Sequence, residues 1–314
     1  MSTLSVIINT KNSERFLEEC LQSVETVADE IVMVDMASVD QTRAIASRYA
    51  KVKLFQYPNP EVGFADPARE FAFAKASGDW LLIIDSDERM PEKLAGLVRQ
   101  IVDGKQGERV PVADAYFIAR HNEIFGKMID KTGWYPDYQL RLWRRGQIKW
   151  RPQVHTMPEI LGTSAYLPAD KELAFVHHNY QTVQQFVERA NKYTTFGAEK
   201  LATSEQGQNW TPQRLWQSFF GELWRRGFQE EGLLEGNHGV VLSLLQASCE
   251  LITSAKAWEA EGFTDVTLTE AELKQMWREW QREANYWWAD LQVRQTSGLK
   301  QWYWRLKRKM ASKA

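Results

Sequence analysis

The sequence predicts an α/β fold with a parallel sheet built from strand–helix–strand units. A helical region follows it towards the C-terminus. In roughly the first 90 residues, short β-branched runs alternate with segments of helical periodicity. Ten of the 14 tryptophans lie from Trp210 onward, which marks a change in composition. We therefore expect an α/β domain at residues 1–180 and a helical, Trp-rich region with a basic tail at residues 181–314.

Six strands are predicted from short apolar or alternating runs that end in turn-forming residues. They lie at residues 4–9, 30–35, 51–57, 80–84, 116–120 and 139–145. The fourth consists of five consecutive apolar residues, which is typical of a strand buried on both faces. The last alternates polar and apolar residues, so we expect one of its faces to be solvated.

Helices are predicted where apolar residues recur at three- and four-residue steps behind a capping residue. In the α/β domain they span about residues 16–24, 41–50, 67–76 and 92–102. In the C-terminal region they span about residues 184–201, 212–223, 239–258 and 270–291. Thr269 and Glu272 have the spacing of a capping box at the start of the last helix.

Composition restricts the class of protein. The formal net charge is −2 and there are two cysteines, so nothing favours nucleic acid as a partner and no disulfide framework is expected. No basic segment precedes the first apolar run, and no stretch approaches the ~20 apolar residues that cross a bilayer. We expect a cytoplasmic chain without a signal peptide or a membrane span.

Polar residues cluster where the predicted parallel strands end. They are Thr10, Lys11 and Asn12 after the first strand, Asp35 at the end of the second, and Asp85 and Asp87 after the fourth. Ligands of open α/β sheets bind at this edge. Asp85 and Asp87 point the same way and repel each other unless a cation neutralises them, and a hard divalent ion that also binds phosphate is suited to that task.

Two further observations bear on this acidic motif. Asp-Ser-Asp is also good turn chemistry, so an acidic turn is the alternative to a metal site. The sequence contains neither the G-x-G-x-x-G motif of dinucleotide sites nor a P-loop, which argues against both of those nucleotide-binding classes.

In their order along the chain, these motifs resemble the family-2 inverting glycosyltransferases of the GT-A fold. The resemblance rests on Thr10-Lys11-Asn12, on Asp35 followed by Ser38 and Asp40, and on Asp85-Ser86-Asp87-Glu88. Met36, Val39 and Gln41 depart from the family pattern after the second strand. The Asp-Ser-Asp-Glu form and the stretches 122–127 and 133–146 are similar to the branch that includes lipopolysaccharide-core β-1,4-glucosyltransferases.

The resemblance implies a nucleotide-diphosphate sugar donor, a UDP-sugar foremost, and a bound Mg²⁺ or Mn²⁺. The implied donor contacts are Thr10, Lys11, Asn12, Asp35, Ser38, Arg69 and Asp85. The implied metal ligands are Asp85, Asp87 and His177, the last because it fits the His-x-x-Tyr spacing of the branch.

Asp137 is the predicted catalytic base. It follows Pro136 on a segment where family-2 enzymes place their catalytic carboxylate, and the alternative is a turn residue that binds its own backbone. Glu88, Trp134, Tyr135 and His155 are expected to support the metal motif or the acceptor. For His155 a structural role is favoured, since a lone histidine is more often structural.

The implied function is transfer of a sugar, with inversion, to a hydroxyl of a glycan or lipid-linked acceptor in cell-envelope polysaccharide synthesis. Two alternatives stay open. One is a nucleotidyltransferase, which usually has a Gly-rich loop after its first strand that Thr10-Lys11-Asn12 lacks. The other is a non-catalytic relative that binds nucleotide or glycan. A homo-oligomer is also compatible with the sequence.

The C-terminal tail has a composition of its own. Residues 291–314 contain seven basic residues and no acid, with Trp302, Tyr303 and Trp304 among them. Aromatic residues favour the headgroup region of a bilayer, and basic residues are attracted to anionic lipid. We expect peripheral contact with the cytoplasmic face of a membrane, and the alternative is packing of the tail on the rest of the protein.

Overall fold

The structure, a computed structural model, describes residues 2–59, 65–150, 158–203 and 209–312, with the backbone alone for 65–67. Contacts divide the chain into two compact units. Unit 1 comprises Met1–Glu123 and Pro136–Asn179, and unit 2 comprises Ile124–Tyr135 and Tyr180–Ala314. The predicted boundary at residue 180 places residues 124–135 in the first domain. Their contacts group these residues with unit 2.

The described residues form twelve strands, of which six lie at the predicted positions. They are β1 (Leu4–Thr10), β2 (Glu30–Asp35), β3 (Val52–Gln56), β4 (Trp80–Ile83), β5 (Glu88–Arg89), β6 (Ala115–Ile124), β7 (Lys127–Met128), β8 (Asp137–Arg144), β9 (Ile148–Lys149), β10 (Glu159–Ile160), β11 (Ser164–Tyr166) and β12 (Phe175–Tyr180).

The main sheet is mixed, with the order β3-β2-β1-β4-β8-β6-β12-β5. Strands β3, β2, β1 and β4 run parallel, whereas β8 is antiparallel to both β4 and β6, and β5 is antiparallel to β12. The carboxyl ends of β1, β2 and β4 therefore lie at one edge. This is the arrangement expected for the polar residues that follow these strands.

The helices of the described residues are more numerous in the C-terminal half. They are α1 (Leu17–Glu25), α2 (Thr42–Ala46), α3 (Ala65–Lys75), α4 (Glu92–Val102), α5 (Val183–Ala202), α6 (Pro212–Leu223), α7 (Gly236–Ala260), α8 (Glu270–Gln295) and α9 (Gly298–Ala311). The predicted α/β fold with C-terminal helices is confirmed. Helix α2 is shorter than expected, since it ends at Ala46 rather than near residue 50.

Apolar residues cover both faces of the sheet. On one face, Val6 and Ile8 of β1 pack in a cluster with residues of α1 and α4. On the other, Ile7 packs in a cluster that includes Ala68 and Ala72 of α3. Successive residues of β1 thus point into different cores, which explains why its sequence is continuously apolar.

The expectation of a solvated face on the sixth predicted strand was wrong. Strand β8 lies between β4 and β6, and consecutive residues near its end, which point to opposite faces of the sheet, are buried. Arg141, Leu142 and Trp143 are consecutive and all are at most 3% exposed. Arg141 is a charged residue that is buried beside acids. In sequence, it gives the same alternating pattern as a polar residue that faces solvent.

The helices of unit 2 include α5 to α9. Helix α7 packs on α5 and α6, and α8 packs on α9. Trp224 stands at the centre of an aromatic group with Phe220 and Trp280, and its indole N–H donates to Glu283 at 3.0 Å. The predicted capping box of Thr269 and Glu272 is confirmed at the start of α8. Many tryptophans of this unit therefore serve helix packing.

Helix α7 is long and apolar enough to cross a membrane by length and composition, with a mean hydropathy of 1.2 over its best window. We expected no stretch with the length and composition of a membrane-spanning helix, and α7 does not meet that expectation. Within unit 2, Leu242, Ala247 and Ala257 of this helix are fully buried. A helix that packs between neighbours passes the same composition test as a spanning helix.

Glu30 ties four neighbouring strands together at the opposite edge of the sheet. Its carboxylate accepts from the Ser5 hydroxyl of β1 at 2.5 Å, from the Ser77 amide before β4 at 2.5 Å, and from Lys53 of β3 at 2.6 Å. Burial raises the pKa of Glu30, but these hydrogen bonds outweigh that effect and lower it to about 2.

We predict that Glu30→Gln lowers the free energy of unfolding at pH 7 by on the order of 3 kcal/mol. A carboxylate whose folded pKa lies below its unfolded value stabilises the fold above the unfolded pKa, and that contribution is lost as pH falls towards the folded pKa. Urea unfolding should therefore show the deficit shrinking between about pH 5 and pH 3. Glu108→Gln, an exposed acid, is the control. A deficit independent of pH would contradict this account.

Candidate active site

The acidic motif forms a closed turn at the end of β4. The amide of Asp85 donates to the Glu88 carboxylate at 2.9 Å, and the Glu88 amide donates back to the Asp85 carbonyl at 2.9 Å. The Ser86 hydroxyl lies 2.8 Å from that of Ser13, in the segment that follows β1. These bonds fix the directions in which the carboxylates of Asp85 and Asp87 point.

Arg141 is buried between two of these acids. Its Nη2 donates to Oδ2 of Asp85 at 2.9 Å and also to Oε1 of Glu88. Arg69 of α3 donates to the other Asp85 oxygen, Oδ1, at 3.0 Å. Both Asp85 oxygens thus accept hydrogen bonds from guanidinium groups. Of the two roles predicted for Asp85, this favours a place in the binding site of the nucleotide sugar over metal ligation.

The electrostatics of the two acids differ. Burial raises the pKa of Asp85, but the guanidinium groups of Arg141 and Arg69 overcome that effect and hold the pKa well below its usual range. Burial raises the pKa of Glu88, against the lowering effect of Arg141 and with a further rise from Asp85. Asp85 is therefore the acid that stays charged most firmly.

Asp87 faces His177. Pairing of β5 with β12 sets His177 opposite Glu88, and the His178 amide donates to the Asp87 carbonyl at 2.9 Å. The imidazole Nε2 of His177 consequently lies 3.6 Å from Oδ1 of Asp87.

Asn122 determines which nitrogen of His177 carries the proton. Its amide nitrogen makes a long contact of 3.4 Å to the Asp137 carboxylate, which can only accept, so its oxygen faces His177. Nδ1 of His177, 2.7 Å from that oxygen, is then the donor. In the neutral ring Nε2 is left with its lone pair directed towards Asp87.

These two residues fit a divalent cation. In the described ranges, no group of three or more His, Cys, Asp and Glu side chains could hold a metal on its own. Mg²⁺ and Mn²⁺ in nucleotide enzymes are commonly bound by one or two protein ligands, with phosphate and water completing the set. Asp87 and His177 offer a carboxylate and an imidazole with the correct tautomer for ligation.

Asp137 begins β8 and is held by three side chains. Arg120 donates to its Oδ2 at 2.8 Å through Nε, and Gln139 donates to its Oδ1 at 2.9 Å. Burial raises the pKa of Asp137, but the Arg120 charge and these hydrogen bonds outweigh that effect and lower the pKa. The carboxylate is thus ionised, and it is oriented by side chains of β6 and β8 rather than by its own backbone.

The segments after β1 and β2 are bonded to each other. The Asn12 amide donates to the Ser38 hydroxyl at 2.9 Å, and the Val39 amide donates to the Asn12 side chain at 2.9 Å. The Ser38 amide donates to the carboxylate of Asp35, which is 1% exposed. Asn12 has φ 51°, a conformation that asparagine tolerates better than most residues.

Two polar side chains at the end of β1 are buried without a partner. Across the described residues, neither the Asn9 amide nor the Thr10 hydroxyl has a hydrogen-bond partner. Asn9 follows Ile7 by two residues, as Asp85 follows Ile83, and Ile7 and Ile83 are register partners. The backbone positions of Asn9 and Asp85 therefore both lie two residues beyond this register pair, and a bound ligand could satisfy the unpartnered groups.

The remaining predicted residues are Lys11, Trp134, Tyr135 and His155. Lys11 is exposed after β1. Trp134 and Tyr135 belong to unit 2, where Trp134 packs edge-on against Tyr180 at 6.1 Å. His155 lies outside the described residues. The roles proposed for these four residues stay predictions.

Four site residues were missed from sequence: Asn9, Arg120, Asn122 and Arg141. The signal for Arg141 was a charged residue in a strand of otherwise buried pattern. Asn9 and Asn122 are polar residues within runs that form strands, which is unusual for positions that pack inside a sheet. Arg120 gave no signal beyond its place at the end of a predicted strand.

Comparison with known proteins finds similar glycosyltransferases. The chain is 28% identical over 259 residues to the lipopolysaccharide core biosynthesis glycosyltransferase LpsC of Rhizobium meliloti (strain 1021), which covers 78% of this chain and 90% of LpsC. It is 24% identical over 272 residues to an uncharacterized glycosyltransferase of Rickettsia felis, over 83% of this chain and 91% of that protein.

Among solved structures, TarS 1–349 of S. aureus in complex with UDP is similar, with 15% identity and a TM-score of 0.44, over 85% of this chain and 94% of that one. The family model for glycosyl transferase family 2 matches residues 5–158. This range contains the acidic turn, Asn122 and Asp137. Residues 5–158, just under half of the chain, belong to glycosyl transferase family 2 by this match.

Proposed function

We propose that this protein transfers a sugar, with inversion, from a nucleotide-diphosphate donor to a hydroxyl of a cell-envelope glycan or lipid-linked acceptor. Family membership supports glycosyl transfer as the reaction. The observation that carries the proposal is the Asp87–His177 pair, 3.6 Å apart, which is linked through Asn122 to the carboxylate of Asp137.

Departure of the nucleoside diphosphate requires positive charge at the leaving oxygen. A bound Mg²⁺ or Mn²⁺ supplies that charge as a Lewis acid. Asp87 and His177 would hold the ion, while Asp85 orients Arg69 and Arg141. Both guanidinium groups are paired with carboxylates, so the bound ion is the source of the charge that the diphosphate needs.

Asp137 accepts the proton of the attacking hydroxyl in this proposal. A general base must be in its ionised form and within reach of the proton that it accepts. Arg120 and Gln139 keep Asp137 ionised and fix the direction of its carboxylate. Attack from the face opposite the diphosphate inverts the anomeric centre.

The donor nucleotide would occupy the carboxyl ends of β1 and β2. The unpartnered polar atoms of Asn9 and Thr10 and the buried carboxylate of Asp35 favour a ligand with several hydrogen-bonding groups. A nucleoside meets that requirement, and we infer a UDP-sugar. Thr10, Lys11, Asn12, Asp35, Ser38 and Arg69 remain the proposed contacts.

The acceptor is inferred from the similar protein LpsC, a glycosyltransferase of lipopolysaccharide core biosynthesis. We infer a glycan of the cell envelope, glycosylated on the cytoplasmic side of the membrane. The test is a panel of nucleotide sugars assayed for release of nucleoside diphosphate. Release from one donor supports transfer, release of pyrophosphate from a nucleoside triphosphate indicates a nucleotidyltransferase, and tight nucleotide binding without turnover indicates a non-catalytic relative.

Metal dependence tests the Asp87–His177 pair. Asp87→Asn should retain the thermal unfolding midpoint and lose at least about 10²-fold in turnover, because the leaving diphosphate loses its counter-charge. Titration calorimetry should show that Mn²⁺ binding in the presence of UDP is lost with it. Glu108→Gln is the matched acid control. Full activity of Asp87→Asn, or of the native protein in excess chelator, would eliminate the metal proposal.

The role of Asp137 is tested by Asp137→Asn, which keeps the size of the side chain. We expect unchanged donor affinity and a fall in kcat of about 10²-fold or more, as for loss of general-base catalysis. Weakened donor binding with undiminished turnover at saturation would assign Asp137 to binding.

A second variant separates base catalysis from positioning. Gln139→Leu removes a hydrogen bond that lowers the pKa of Asp137. The pKa should rise, so the acidic limb of the kcat–pH profile should move to higher pH while activity on the plateau is largely kept. An unmoved limb would show that Asp137 is not the titrating base.

A further inference from the structure

Helix α9 presents a continuous apolar stripe to solvent. Its members are Leu299, Trp302, Tyr303, Leu306 and Met310, which are 88%, 61%, 48%, 42% and 66% exposed. On a helix of 3.6 residues per turn, these five positions fall within an arc of about 100°. We call this set the α9 stripe.

The opposite side of α9 is used for packing on α8. Arg308 donates to Asp290 of α8 at 2.6 Å, and the Gln301 amide donates to the Val293 carbonyl at 3.0 Å. Trp304, on the same side, is partly buried. The two-helix packing therefore fixes the outward direction of the α9 stripe.

Basic residues border the α9 stripe on both sides. By helical position, Lys300 and Lys307 lie along one border, and Arg305 and Lys309 lie along the other. All four are exposed, and within the described ranges the structure records no ion pair for any of them. Residues 291–314 contain no acid that could neutralise them.

We propose that the α9 stripe docks on an anionic lipid surface, with the helix axis parallel to the membrane plane. An apolar arc between two rows of cations is the pattern of an interfacial helix, in which aromatic and aliphatic side chains enter the headgroup boundary. Lysine and arginine stems can then lie along the apolar surface while their charges reach lipid phosphates.

Charge and composition favour lipid over the other occupants. A second copy of the chain would bring the same cations face to face, and like charges oppose that contact. Nucleic acid would suit the cations but leaves Leu299, Leu306 and Met310 without apolar partners. A bilayer satisfies both features at once.

This inference goes beyond the proposed sugar transfer, and lipid binding is measured without any donor or acceptor. The full chain should float with phosphatidylcholine vesicles that contain phosphatidylglycerol, and much less with phosphatidylcholine alone. Binding should weaken as salt rises, because screening shortens the reach of the charges to about 8 Å at physiological ionic strength.

Two variants of the full chain test the two components. Trp302→Ser with Leu306→Ser should reduce partitioning roughly tenfold or more, through loss of buried apolar area. Lys300→Gln with Lys307→Gln should reduce it on anionic vesicles only. The matched control is Val183→Ser with Leu273→Ser, which alters residues 50% and 51% exposed on other helices. Circular dichroism checks that each variant is folded.

Three results would overturn the proposal. They are failure of the native chain to float, flotation of the stripe variant at the native level, and equal binding to neutral and anionic vesicles. Selective loss of self-association or of RNA binding in the stripe variant, with unchanged flotation, would equally assign the stripe to another partner. Absence of sugar transfer with normal flotation would contradict the proposed function and leave this inference intact.

Discussion

The candidate site depends on one interaction, the pairing of the buried Arg141 guanidinium with two carboxylates. The guanidinium lies between Asp85 and Glu88, two acids brought together by a turn that closes through their own backbone amides. Without a cation there, two carboxylates would be buried side by side, and removing one partner of a buried ion pair typically costs about 3–5 kcal/mol. Because Arg141 comes from β8, which joins β4 to β6, the same contact holds the acidic turn against the antiparallel half of the sheet.

This neutralisation leaves the neighbouring groups available for chemistry. Asp85 is committed to arginines, so Asp87 is the acid of the motif that faces His177. Asn122 then joins His177 to Asp137, because its oxygen accepts from the imidazole and its nitrogen contacts the carboxylate. A proposed metal-binding pair and a proposed base are thus oriented by a single amide. In this account, a change at Asn122 would disturb both functions.

The strand–helix alternation and the acids at the strand ends were predictable, because burial on both faces and clustering at one sheet edge are local consequences of the sequence. The partners of those acids were not. The alternating pattern around Arg141 is also typical of a strand with one solvated face. Its burial beside Asp85 and Glu88 depends on the tertiary structure, which the local pattern does not encode. Asp87 and His177 are far apart in the chain and meet through the β5–β12 pairing, for which two short strands gave no periodic signal. The basic character of the tail was evident, whereas its apolar stripe required knowing which side of α9 packs on α8.

The central claim is that Asp87 and His177 hold a divalent cation against the diphosphate of a nucleotide. The most direct measurement is anomalous diffraction, above the manganese edge, from crystals of the protein grown with Mn²⁺ and UDP. The account predicts a single strong peak within ligand distance of Asp87 and Nε2 of His177, in contact with phosphate oxygens and with Asp85 still bound to Arg141. Bound UDP with manganese elsewhere, or with no manganese beside its phosphates, would contradict the account.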